Sequence, residues 1–202
     1  MADSAPALSP QQAAQALTDI AGYEEGLSTR VGALTGMVWG IVSAAIFVSY
    51  GFAPQVSPDW LVPFLWLPWT LAGVAVTVSA WKLHAVSLGR PHDRKRSWVW
   101  GLGFTVLFAT AIVLLNVLDL AQSAFTYMLV VNGLVAFVIV AAVSRRYGRL
   151  AASPMLVAGL AILAGAFFVG AADLSIVPMA FASAALVGAS FVGASLVAFV
   201  RG

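Results

Sequence analysis

The stretch SLGRPHDRKRSW, residues 87–98, is where charged side chains crowd in this chain: Arg90, Asp93, Arg94, Lys95 and Arg96, with His92 among them. A second basic group, Arg145, Arg146 and Arg149, follows further along. Clustered bases can hold phosphate, lie against anionic lipid headgroups or steer nucleic acid. A specific phosphate site needs a glycine-rich cradle or a capped helix N-terminus, and neither accompanies these residues. With a net charge of only +2, nucleic acid is not an expected partner. Anionic lipid is.

Other chemistry is limited by which residue types are present. There are no cysteines, so disulfides, thiolate catalysis and Cys-ligated metals are excluded. The only histidines are His84 and His92, beside or within the basic stretch, so no apolar segment offers a histidine ligand for haem or metal. HExxH, GxSxG, Walker A and paired Asp-rich motifs are missing. Lys82, the one candidate for a retinal Schiff base, falls at the end of an apolar segment, where it snorkels. Neither enzymatic activity nor a cofactor is expected.

The elements that position these residues follow from composition. Of 202 residues, 61% are hydrophobic and 9% charged, with a mean hydropathy of +0.97. A soluble domain carries about 25% charged residues to solvate its surface. This chain belongs in a bilayer. A hydrocarbon core about 30 Å thick takes roughly 20 apolar residues as a helix, and six stretches meet or approach this, near 31–53, 60–82, 97–118, 124–144, 154–172 and 175–200. They are continuously apolar rather than alternating, which excludes a β-barrel. The predicted fold is all-α, a polytopic membrane bundle of six transmembrane helices over residues 29–202. A short cytosolic segment, residues 1–28, precedes it. That segment has neither the basic start nor the apolar run of a cleaved signal peptide. Ser9-Pro10-Gln11-Gln12 is a capping box opening an amphipathic helix, and Gly26 is placed to close it. Ser57-Pro58-Asp59 and Ser153-Pro154 read as helix starts for the second and fifth spans, and Ser123 as a cap for the fourth.

All ten Lys and Arg residues fall before the first span, after the second or fourth, or at the C-terminus. The other three loops carry none. By the positive-inside rule, both termini and the 83–96 and 145–152 loops are cytoplasmic, and Arg90, Arg94, Lys95, Arg96, Arg145, Arg146 and Arg149 are the anionic-lipid contacts.

Polar and small residues inside the spans supply the remaining candidates. Asn116 and Asp119, three apart in LLNVLDLAQ, share a face at the outer end of the third span. There a carboxylate opposes the helix macrodipole. Either Asp119 is simply solvated, or the pair forms an outward-facing entrance for a cation or polar solute. Asn132, mid-way along the fourth span, calls for a partner on another helix. Pro68, in WLVPFLWLPWTLAG, is a candidate kink and hinge. Trp39, Trp66 and Trp69 read as deep packing residues. Gly32, Gly36, Gly40 and Ala44 recur every four residues in the first span, and VGASFVGAS in the last places Gly188 and Gly193 on small-residue surfaces with Ala184, Ala189 and Ser195. Small residues let membrane helices approach closely, either within a chain or between subunits.

In helix number and length the chain is similar to small membrane subunits of transport systems, such as the substrate-binding components of energy-coupling-factor importers. No motif carries a family assignment. The expected function is that of a transport subunit binding or moving a small solute with a partner chain. The alternative is a non-catalytic structural or assembly subunit of a larger membrane complex, with other membrane subunits or further copies of itself as partners.

Overall fold

A computed structural model describes residues 9–56, 61, 64–88, 124–147, 149–172 and 174–201. Among these the chain forms five α-helices: α1 Pro10–Val56, α2 Trp66–Ser87, α3 Ala124–Tyr147, α4 Arg149–Ala171 and α5 Ile176–Arg201. The expected third span 97–118, with Asn116 and Asp119, and the basic residues Arg90, Arg94, Lys95 and Arg96 lie outside the described residues.

Helix α1 begins as its sequence demands. The Ser9 backbone N–H donates to Gln12 Oε1 at 3.0 Å, and the Gln12 N–H donates to Ser9 Oγ at 3.3 Å. This is the reciprocal capping box, which satisfies two donors that a helix start otherwise leaves open. The helix does not stop at Gly26. It runs unbroken for 47 residues, about 70 Å at 1.5 Å per residue. The expected separate cytosolic helix and first span are one element. Gly26 costs about 1 kcal/mol of helix propensity and no more, because no proline or competing cap follows it.

Two prolines also differ from expectation. Helix α2 starts at Trp66 after a turn in which the Phe64 N–H donates to the Leu61 carbonyl at 2.9 Å. Pro68 therefore sits in the first helical turn, where a backbone N–H has no intrahelical acceptor and its loss costs nothing. Trp66 and Trp69 accordingly lie at a helix end, 43% and 42% exposed, rather than deep in a span. Pro154, expected at a helix start, lies inside α4, which begins five residues earlier at Arg149. Arg149-Leu150-Ala151-Ala152 are good helix formers and Ala152 is buried, so the helix continues through the one hydrogen bond that the proline removes. Residues 145–152 are thus mostly helix rather than loop.

Three of the helix pairs in contact are antiparallel. Along α1 and α5, Arg30 meets Phe199, Gly36 meets Ser195, Gly40 meets Phe191, and Phe52 meets Phe181. Numbers that rise on one helix fall on the other, so the pair is antiparallel. The same holds for α1 and α2, where Val42 meets Gly73 and Ser49 meets Trp69, and for α3 and α4, where Gly133 meets Leu163 and Ala136 meets Gly159. A core of Phe47, Phe125, Leu129, Ala136, Ile162, Val187 and Phe191 joins α1, α3, α4 and α5. Phe47 is fully buried and stacks on Phe125 with ring centroids 6.1 Å apart.

The outer surface is as apolar as the core. Ile41, Leu83, Phe167, Phe168 and Val200 are all exposed. In water this would be a large aggregation surface, and in hydrocarbon it costs nothing. Among the described residues, three helical stretches are long and apolar enough to cross a membrane, Pro10–Ala53, Ala152–Ala171 and Ile176–Arg201, and a shorter apolar stretch spans Phe125–Ala141.

Candidate functional site

Among the described residues, α1 and α5 pack closely along a row of small side chains. At Gly36 the space a Cβ would need is taken by the Ser195 hydroxyl. At Gly40 a Cβ would lie 2.8 Å from Phe191 Cβ and 3.3 Å from the Val192 backbone nitrogen. At Gly188 it would lie 3.3 Å from Ala44 Cβ, and at Gly51 it would lie 2.5 Å from Ala180 Cβ. Gly36, Gly40, Ala44 and Gly188 are therefore used within the chain, as one face of close backbone approach. Among the described residues nothing lies within 4 Å of a Cβ at Gly32 or Gly193. Ser195 is 1% exposed and its hydroxyl has no conventional partner. It rests against the Gly36 backbone, a position suited to a weak Cα–H···O contact.

Sequence reading missed the second tight seam. At Gly133 a Cβ would lie 2.6 Å from Leu163 Cδ2, and at Gly159 it would lie 3.1 Å from Ala136 Cβ. Gly165 is likewise closed off by Leu186. Gly133 is the lone glycine of α3, and Gly159, Gly165 and Gly170 of α4 do not recur every four residues, so spacing could not flag them.

Polar side chains are paired across helices. Ser43 Oγ of α1 donates to Asn132 Oδ1 of α3 at 3.1 Å, while Asn132 Nδ2 donates to the Met128 carbonyl at 2.8 Å. This is the interhelical partner that Asn132 needs in lipid. Trp69 Nε1 donates to Ser49 Oγ at 2.9 Å, tying α2 to α1, and Ser49 Oγ donates in turn to the Ala45 carbonyl at 2.8 Å. Hydroxyls of Thr35 and Thr70 return to carbonyls four residues back. Each arrangement removes an unsatisfied group from hydrocarbon.

Charge is sorted by helix direction. Arg30 in α1, Lys82 near the end of α2, Arg145 and Arg146 at the end of α3, Arg149 at the start of α4 and Arg201 at the end of α5 all fall at one end of the bundle. Arg30 lies over the Phe199 ring at 5.9 Å, held between α1 and α5. Trp81 packs edge-on against His84 at 5.5 Å near the same end. From this basic end α1 continues outward, and its residues 10–23, an arm of about 20 Å of helix, are almost all exposed. Leu17 and Tyr23 of the arm are each 68% exposed. No three His, Cys, Asp or Glu side chains gather where they could hold a metal ion among the described residues.

Helices of this length and apolarity, packed through small residues and carrying an apolar exterior, define an integral multi-pass membrane protein. No family model matches the chain, and no curated protein or solved structure matches it either.

Proposed function

We propose that this chain is a membrane-embedded subunit that works within a larger assembly, and that its α1 arm is the part that reaches other chains. The observation behind this reading is the continuity of α1. One helix is built into the bundle core through Gly36, Gly40 and Phe47, and nearer its start it carries exposed Leu17, Ile20 and Tyr23, about 10–20 Å along the axis from Arg30. A partner that covers these exposed apolar side chains is the natural complement of this stretch.

Six spans, with both termini cytoplasmic, belong to the same proposal. Helix α2 ends at the basic end of the bundle, and α3 starts at the opposite end, where Phe125 meets Phe47. The intervening chain has to pass from one end to the other, and its apolar stretch 97–118 has the length for a crossing. With the bases facing the cytoplasm, the arm is cytoplasmic and the basic end meets anionic headgroups.

Transport of a small solute with a partner chain is the second reading. It is favoured by the Ser43–Asn132 pair, a polar contact placed between α1 and α3 inside the apolar bundle. Under it, Asn116 and Asp119 would form the entrance. Mild-detergent purification of the tagged full chain from native membranes, followed by mass spectrometry, tests both. A stable multi-subunit complex supports assembly, and an ATPase partner supports transport. A chain recovered alone under every extraction condition rejects both.

A further inference from the structure

The last turns of α5, at the basic end of the bundle, border a hollow of about 240 Å³ lined by Leu196, Val197, Val200 and Arg201. All four residues are exposed, so the hollow opens on the outer surface of the bundle. Three of them offer only hydrocarbon, and the fourth ends in a guanidinium. One turn deeper Gly193 is exposed as well, and a Cβ there would meet nothing within 4 Å among the described residues. Ala189, also exposed, continues the same face of the helix, four residues before Gly193. From Ala189 to Arg201 is about 18 Å of helix, close to one leaflet of a hydrocarbon core about 30 Å thick. Arg30, exposed and held over the Phe199 ring at 5.9 Å, adds positive charge beside the same turn.

We propose that this hollow binds an anionic phospholipid, with an acyl chain along Gly193, Leu196 and Val200 and the headgroup phosphate on Arg201. A recess on a lipid-facing surface leaves its lining without dispersion partners unless something fills it, and an acyl chain is the filler a bilayer supplies. The hydrocarbon lining gives a polar solute no hydrogen-bond partner to replace water. The arginine fork matches a phosphate in charge and geometry, and bases at the membrane boundary favour anionic headgroups. A second copy of the chain fits this face less well. Copies inserted alike and meeting here by two-fold symmetry would set Arg201 against Arg201, a like-charge contact, whereas a phosphate neutralises the base. The site depends neither on which membrane face the basic end occupies nor on the assembly reading.

The experiment titrates the full-length chain, in mild detergent, with phosphatidylglycerol or phosphatidylcholine and counts retained lipid by native mass spectrometry. The parent is expected to hold one phosphatidylglycerol about fivefold more tightly than phosphatidylcholine, the preference that one interfacial base supplies. Arg201→Gln should bring phosphatidylglycerol down to the phosphatidylcholine level, and Arg201→Lys should keep most of the preference. Gly193→Phe, which fills the path of the acyl chain, should weaken both lipids alike and leave the melting temperature in lipid-free detergent unchanged. A parent without the preference overturns the proposal, and so does a preference that survives Arg201→Gln. Parent-like retention of both lipids by Gly193→Phe overturns it as well. A fall in the lipid-free melting temperature of Gly193→Phe would show that the chain itself fills the hollow. Spontaneous disulfide pairing of Gly193→Cys copies in native membranes would put a second copy there, and either result rejects the lipid.

Discussion

Gly36 and Ser195 touch across the α1–α5 seam so closely that the serine hydroxyl occupies the place of the missing glycine side chain. The contact is sterically one-sided. Ser195 is nearly fully buried and sits on a helix hemmed in by α1 and α4, so it has little room to yield. Gly36→Ala is expected to cost about 1–3 kcal/mol through overpacking, despite alanine's better helix propensity. Gly36→Leu with Gly40→Leu should cost more, since Gly40 faces Phe191 Cβ and the Val192 backbone. Thermal unfolding in detergent or nanodiscs measures both. Gly32→Ala and Gly193→Ala meet open space and should leave stability unchanged or raise it slightly. Equal losses at Gly32 and Gly36 would contradict the seam.

The Ser43–Asn132 hydrogen bond gives a smaller, separable effect. Interhelical hydrogen bonds in membrane bundles contribute about 0.6 kcal/mol on average. Ser43→Ala, Asn132→Ala and the double variant should form a cycle with a coupling energy of about that size and stabilising sign. Purely additive losses would mean that the two side chains do not interact.

Burial distinguishes phenylalanines that look alike in sequence. Phe47 is fully buried against Phe125, whereas Phe167 and Phe168 point outward at 73% and 70% exposure. Phe47→Ala should cost about 3–5 kcal/mol. Phe168→Ala in a bilayer should cost under about 1 kcal/mol, because lipid fills the vacated space and no cavity forms. Denaturation of the two variants in parallel would show the contrast, and similar losses would place Phe168 at an interface.

The direction of insertion is open to a labelling experiment. Ser175, between α4 and α5, lies at the end of the bundle opposite Gln12 and Ser87. In the proposed orientation, Ser175→Cys reacts with an impermeant thiol reagent added to intact cells, while Gln12→Cys and Ser87→Cys react only after permeabilisation. The chain has no native cysteine, so each label reports one position. The reverse pattern would turn the proposed topology over.

Membrane residence, the helical class, the capping box and the gathering of bases were legible in the residues themselves. Hydropathy, capping and charge are local properties that a bilayer or a helix end reads from a short window. Asn132 could also be read, because an amide in hydrocarbon must find a partner, although nothing in its neighbours named Ser43. The repeat pointed to Gly36 and Gly40, but it could not by itself set Gly32 apart from them. Four residues advance a helix by 400°, so a repeat of four drifts about 40° per step and wraps around the axis. Gly36 and Gly40 stay under α5, while Gly32 passes out from beneath its last turn, where Arg30 already reaches Phe199. Proline was ambiguous for a related reason. Its cost depends on whether its own N–H had an acceptor, and that is set by where the helix starts. The start of α2 at Trp66 makes Pro68 harmless, and the packing of Ala152 carries α4 through Pro154. Composition decided that this chain is made of membrane helices. Only their mutual packing decided where each helix begins, which faces close, and that α1 continues past the bundle as an arm.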